Sequence, residues 1–182
     1  QGRMLLIKMV CSCPISWSPR VVLKNPLTFA KNNGVRMKLG VLKEPEGETR
    51  VAIVPTSLKK LQKAGFEVVI EAGAGTAANY HDAEYEEAGA TVGTRDDALA
   101  CETIITIRFP GVEGMKEGTN LACVSDPFRN PQFVKDCLAS NITLLSMDMI
   151  PRRLSRAQSM DVNSSQDNLA GYKAVLLGAA HV

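Results

Sequence analysis

A parallel α/β sheet is the fold class that this sequence predicts, on three observations. Short apolar runs of strand length alternate with segments of helical periodicity. Two of those runs, Val68-Val69-Ile70 and Ile104-Ile105, are continuous rather than alternating, as strands covered on both faces require. Gly65 and Gly89 stand where helices would end.

Taken in order, Lys38 to Leu42 reads as the first strand. A helix capped by Thr56 or Ser57 follows and runs through Lys63 to Gly65. Glu67 to Glu71 is the second strand, and a short helix covers Asp82 to Ala88. A weaker helix spans Asp96 to Ala100, and Thr103 to Ile107 is a buried strand. Beyond the Gly111 to Gly118 loop, strands at Leu121 to Ser125 and Thr143 to Met147 flank a helix beginning near Pro131, a residue suited to the first helical turn. A last helix is predicted from Asp167 to Val182.

The chain of 182 residues is long enough to bury a core without disulfides, and its 45% hydrophobic and 22% charged content is that of a globular protein. The net charge of +2 conceals an asymmetry. Residues 1–36 carry Arg3, Lys8, Arg20, Lys24, Lys31 and Arg36 with no acid, which leaves the remainder with 15 basic and 19 acidic groups, a net of −4. Such a leader fits an organellar transit peptide or a linker, and the acidic body argues against nucleic-acid binding. Five cysteines in no repeating frame suggest reduced thiols. Cys11-Ser-Cys13 lacks the partners of a metal site, and no apolar run approaches the roughly 20 residues of a transmembrane helix.

Polar chemistry concentrates between Arg153 and Ser165. Arg153 offers a planar fork of donors, Gln158 an amide that donates and accepts, and Asp161 a charged acceptor; Ser164 and Ser165 carry hydroxyls that can also cap a helix. Gly73-Ala-Gly75-Thr-Ala-Ala78 satisfies the form of a dinucleotide fingerprint, yet no long helix opens from it and Asp96 and Asp97 lie in a helical pattern rather than at a strand end. These glycines read as a tight connection.

The run from Arg153 through Gln158, Asp161, Ser164 and Ser165 to Asn168-Leu-Ala-Gly-Tyr172 resembles a loop and helix of the proton-translocating NAD(P) transhydrogenases. Met37 to Pro55, Glu71 to Gly75 and Tyr85 to Ala90 are similar to segments shared by that family and the alanine dehydrogenases, so the resemblance covers residues 37 to 182. It implies a flavodoxin-like three-layer domain over 37–166 and, over 167–182, the start of a helix linking to a Rossmann lobe that supplies most of the grip on NAD. It further implies a homodimer, partnered by the NADP-binding and membrane domains of the same enzyme. The setting would be the matrix face of the mitochondrial inner membrane or an equivalent bacterial face.

In that family hydride passes from NADH to NADP. The resemblance gives Gln158 the nicotinamide ribose region, pairs Arg153 with Asp161 to position the ring's carboxamide, and has Ser164 assist. Pro151-Arg152-Arg153-Leu is one residue longer than the family's pattern, so either arginine could serve; counting back from Gln158 favours Arg153. Alanine dehydrogenases bind pyruvate with a cation at the positions of Arg50 and Arg108, but their histidine is absent from Val124 to Arg129. An ion pair is the simpler role for Arg50 and Arg108. An alanine dehydrogenase-like oxidoreductase and a non-catalytic assembly module are the alternatives.

Overall fold

The computed structural model describes residues 37–151, 153 and 155–181; the basic leader, Cys11, Cys13 and Arg152 lie outside the described residues. The strands are β1 (Met37–Val41), β2 (Phe66–Glu71), β3 (Thr91–Gly93), β4 (Thr103–Arg108), β5 (Asn120–Val124) and β6 (Thr143–Ser146). The helices are α1 (Pro55–Lys63), α2 (Asp82–Glu87), α3 (Arg95–Leu99), α4 (Pro131–Ala139), α5 (Ser155–Gln158) and α6 (Val162–Ala180). Short 3-10 turns at Thr76–Ala78 and Met147–Met149 complete the path.

Every strand pairing is parallel, and the order across the sheet is β3-β2-β1-β4-β5-β6. Without the three-residue edge strand β3, the order becomes that of a flavodoxin-like sheet, as the family resemblance implies. The winding reverses between β1 and β4, which opens a crevice at their carboxyl ends.

Side-chain alternation along the strands divides the core in two. Leu39, Val41, Val68 and Ile70 pack with Leu58 of α1 and Tyr85 of α2. Leu42, Val69, Ile104, Leu121 and Cys123 pack with Ala98 and Leu99 of α3 and with Phe133 and Cys137 of α4. The unbroken run Val68-Val69-Ile70 thus feeds both faces, and the sheet is the middle of three layers. Burial raises the thiols of Cys101, Cys123 and Cys137 above their ordinary range, which leaves them in the core as inert apolar groups.

Several boundaries depart from the sequence expectation. Helix α1 is capped by neither Thr56 nor Ser57. Pro55 occupies its first turn and holds Val54 extended at φ −93° and ψ 153°, so the helix opens at the proline. Helix α3 starts at Arg95, because Thr94 and Asp97 form a capping box: Asp97 N donates to Thr94 Oγ1 at 3.2 Å and Thr94 N to Asp97 Oδ2 at 2.9 Å. Helix α6 begins at Val162, ahead of the predicted Asp167, with Asp161 as its cap. Strand β3 and helix α5 have no counterpart in the prediction; at three and four residues they are too short to show a period.

The Gly73–Gly75 turn is a tight connection, as predicted, and has a packing reason. A Cβ on Gly75 would lie 2.6 Å from Tyr85 Cε2 and 2.9 Å from the carbonyl of Tyr80. Tyr85 itself is fully buried and donates its hydroxyl to the carbonyl of Ile53 at 2.9 Å. Burial, with Tyr80, Glu84 and Asp82 nearby, pushes that phenol up to about 12. Gly75→Ala should therefore displace Tyr85 and cost about 2 kcal/mol or more, whereas Tyr85→Phe, which leaves the Ile53 carbonyl unpaired, should cost about 1–2 kcal/mol. Urea unfolding midpoints of the two variants test that order.

Candidate functional site

A parallel sheet leaves backbone N–H groups without strand partners just past the carboxyl end of each strand, where an anion is favoured. Here the protein's own carboxylates take them. Glu71 accepts from Lys43 N at 2.8 Å, and Glu44 accepts from Ile107 N and Arg108 N at 2.6 and 2.9 Å. Asp148 accepts from Ser125 N and Asp126 N at 3.1 and 3.0 Å, and also from Ser146 Oγ at 2.6 Å. Gly73 N, in the fingerprint-like turn, donates to both oxygens of Asp82 at 3.0 and 3.1 Å. A phosphate at any of these amides would have to displace a carboxylate.

At the β1–β4 crevice the loop after β1 builds a compact ionic cluster. Arg50 Nε and Nη2 donate to the two oxygens of Glu48 at 2.7 and 2.6 Å, and Arg108 Nε approaches Glu48 Oε2 at 3.3 Å. This is the ion-pair role expected of Arg50 and Arg108. The guanidinium of Arg50, then desolvation acting against it, leave the Glu48 carboxyl at about 2. Glu44, half-buried beside it, is raised chiefly by desolvation, which outweighs the two N–H groups it accepts. The remaining guanidinium nitrogen of Arg50, Nη1, donates to Gln166 Oε1 of α6 at 2.7 Å. That contact sets the base of α6 beside the crevice.

The polar loop singled out in the sequence leads into the same helix base. Arg153 is exposed in a turn, and Gln158 is exposed at the end of α5. Buried Ala157 anchors the turn on one side and Asp161, 8% exposed, anchors the other. Asp161 accepts from Ser164 N at 3.1 Å and from Ser164 Oγ at 2.6 Å, while Ser165 Oγ donates to the Asp161 carbonyl at 3.2 Å. The structure thus joins Asp161 to Ser164 and leaves Arg153 and Gln158 facing solvent. It also corrects the cap: Asp161, not Ser164 or Ser165, closes the helix N-terminus, and Ser164 commits its hydroxyl proton to that carboxylate. Asn163 Nδ2 ties the first turn to the carbonyl of Asp148 at 3.2 Å.

Sequence reasoning missed Glu44, Glu48 and Asp148. A faint signal existed for the first two, since Glu44-Pro-Glu-Gly-Glu48-Thr-Arg50 places three acids and an arginine immediately after a strand. Among the described residues no group of three or more His, Cys, Asp or Glu is placed to hold a metal ion, and no helix is long and apolar enough to cross a membrane.

The clamp on Glu48 carries a pH signature. Its folded carboxyl sits at about 2, below the ordinary 4.5, so its contribution to stability is complete above pH 4.5 and is lost as the pH falls towards 2. Both arginine side chains are about half exposed, at 44% and 59%, so solvent screening lowers that contribution to about 1–2 kcal/mol. The stability gap between wild type and Glu48→Gln should be level at neutral pH and close between pH 4.5 and about 2, as read from urea midpoints across that range.

The family model "Alanine dehydrogenase/PNT, N-terminal domain" matches residues 40–170. The NAD(P) transhydrogenase subunit alpha of Haemophilus influenzae is 39% identical over 149 residues, an overlap of 80% of this chain and 29% of the relative. A crystal structure of transhydrogenase from Sinorhizobium meliloti superposes with a TM-score of 0.75 at 41% identity, covering 79% of this chain and 44% of that one. An L-alanine dehydrogenase structure gives 0.61 at 27% identity, over 65% of this chain and 35% of that one. The chain spans less than a third of the subunit alpha sequence it matches. By the family model and by these relatives, the chain belongs to the alanine dehydrogenase/PNT N-terminal domain family, on its transhydrogenase side.

Proposed function

We propose that this chain is the nicotinamide-facing lobe of the NAD(H)-binding domain of an NAD(P) transhydrogenase, which passes hydride from NADH to NADP held on another domain. The observation that carries this reading is the Arg153–Ser164 loop, whose exposed Gln158 is held between two buried anchors at the carboxyl end of the sheet. The donors and acceptors of Arg153 and Gln158 suit a carboxamide and a ribose. The occupied strand-end amides suit a lobe that meets the nicotinamide end of the molecule and leaves adenine and pyrophosphate to the rest of the parent protein. Hydride transfer asks for two rings at reacting distance with water excluded, so the role of this loop is orientation.

In this assignment Gln158 and Asp161 are the residues on which transfer depends, with Arg153 and Ser164 completing the nucleotide contact and Arg153 pairing with Asp161 when the ligand is bound. The parent works as a homodimer beside a membrane domain that moves the proton, and residues 1–36 serve as an organellar leader or a linker. An alanine dehydrogenase-like oxidoreductase is the alternative. It fits less well because Arg50 and Arg108, the cations available for a keto acid carboxylate, already converge on Glu48.

In the full-length subunit with its NADP-binding partner, Gln158→Asn should slow single-turnover transfer from NADH to an NADP analogue by about 100-fold while changing NADH affinity by less than about threefold. Asp161→Asn should act similarly, because Asn retains the helix cap while removing the charge and the second oxygen that accepts the Ser164 hydroxyl. Equal losses in rate and affinity would contradict the orienting role. Pyruvate-dependent NADH oxidation without reduction of the NADP analogue would favour the alternative.

A further inference from the structure

We infer that Arg50 is a positioning residue that fixes the base of helix α6 and, through it, the loop carrying Gln158 and Asp161. The kinetic part of this inference rests on the function proposed for that loop; the structural part does not.

Helix α6 has 19 residues and no buried side chain, and Leu169, Tyr172, Val175, Leu176 and Leu177 along it are all more than half exposed. Core packing within the described residues therefore does not set its direction. Among the described contacts, polar ties at its base do, and two of them reach the sheet rim. Asn163 and Gln166 lie three residues apart, on one face of the first turns, and that face meets the rim of the sheet. Asn163 reaches the carbonyl of Asp148 after β6, and Gln166 accepts from Arg50 after β1. The chain separation of the second contact, 116 residues, makes it a long-range link between the crevice loop and the polar loop.

The guanidinium suits this work because its donors are fixed in one plane. The carboxylate of Glu48 holds Nε and Nη2 in parallel, Arg108 holds Glu48 from the other side, and Nη1 is thereby aimed at Gln166. A lysine at position 50 keeps the charge beside Glu48 but cannot serve both partners. Arg50→Lys thus separates the strap from the ion pair.

The test uses the full-length subunit and amide hydrogen exchange of residues 162–168. Arg50→Lys and Gln166→Ala should each speed exchange there by about fivefold, the scale of one lost hydrogen bond, and the double variant should add little. Exchange in β1 and β4 should stay unchanged, and Gln166→Glu, which keeps the acceptor, should retain slow exchange. Transfer from NADH to the NADP analogue should slow in both single variants with NADH affinity retained. Unchanged exchange, or fully additive effects, would overturn the inference. Faster exchange with unaltered transfer would uphold the strap and count against the orienting role of the loop, so the two failures are distinguishable.

Discussion

Backbone amides at the carboxyl ends of parallel strands must find an acceptor, and in this protein side-chain carboxylates supply it. Glu71 and Asp148 bind amides just past the ends of β1 and β5, and Glu44 binds the last two amides of β4, so the rim of the sheet is stitched together between neighbouring strands. The pattern orders the crevice between β1 and β4, and it gives Arg50 a fixed carboxylate to hold through Glu48. It also occupies positions that a dinucleotide's phosphates use in many α/β proteins. In the function proposed above, the lobe then meets the nicotinamide end of the nucleotide and leaves the phosphates to the rest of the parent protein.

Much of the architecture was legible in the chain, because the forces that build it act over short windows. The run Val68-Val69-Ile70 announced a strand buried on both faces, and the core places Val69 opposite its two neighbours. Pro131 and Gly65 marked a helix start and a helix end where the structure has them. What escaped was either too short or decided by tertiary contact. Strand β3 exists through its pairing with β2, a partner that no local window contains. At α1 the hydroxyls of Thr56 and Ser57 outbid Pro55 on cap propensity, whereas the proline's fixed φ settled the start.

The polar loop was legible as a cluster but not as a geometry. Asp161, Ser164 and Ser165 are all favoured caps, and spacing alone does not choose among them; the fold buries Asp161 and turns the serines into its donors. For Arg50 an ion-pair role was legible in the chain but not its partner, Glu48, two residues away. The third partner, Gln166, is far away in the chain, so the connection between the crevice and the loop could emerge only once the sheet had brought β1 and β6 to the same rim.

The central claim is a division of labour, in which this lobe meets nicotinamide and not phosphate. Amide exchange or chemical-shift mapping of the full-length subunit with nicotinamide mononucleotide, and separately with ADP-ribose, tests it most directly. The account predicts that nicotinamide mononucleotide perturbs residues 153–164 and that ADP-ribose leaves this lobe unaltered. Perturbation of Lys43, Ile107 and Ser125 by ADP-ribose, with a silent 153–164 loop, would contradict it.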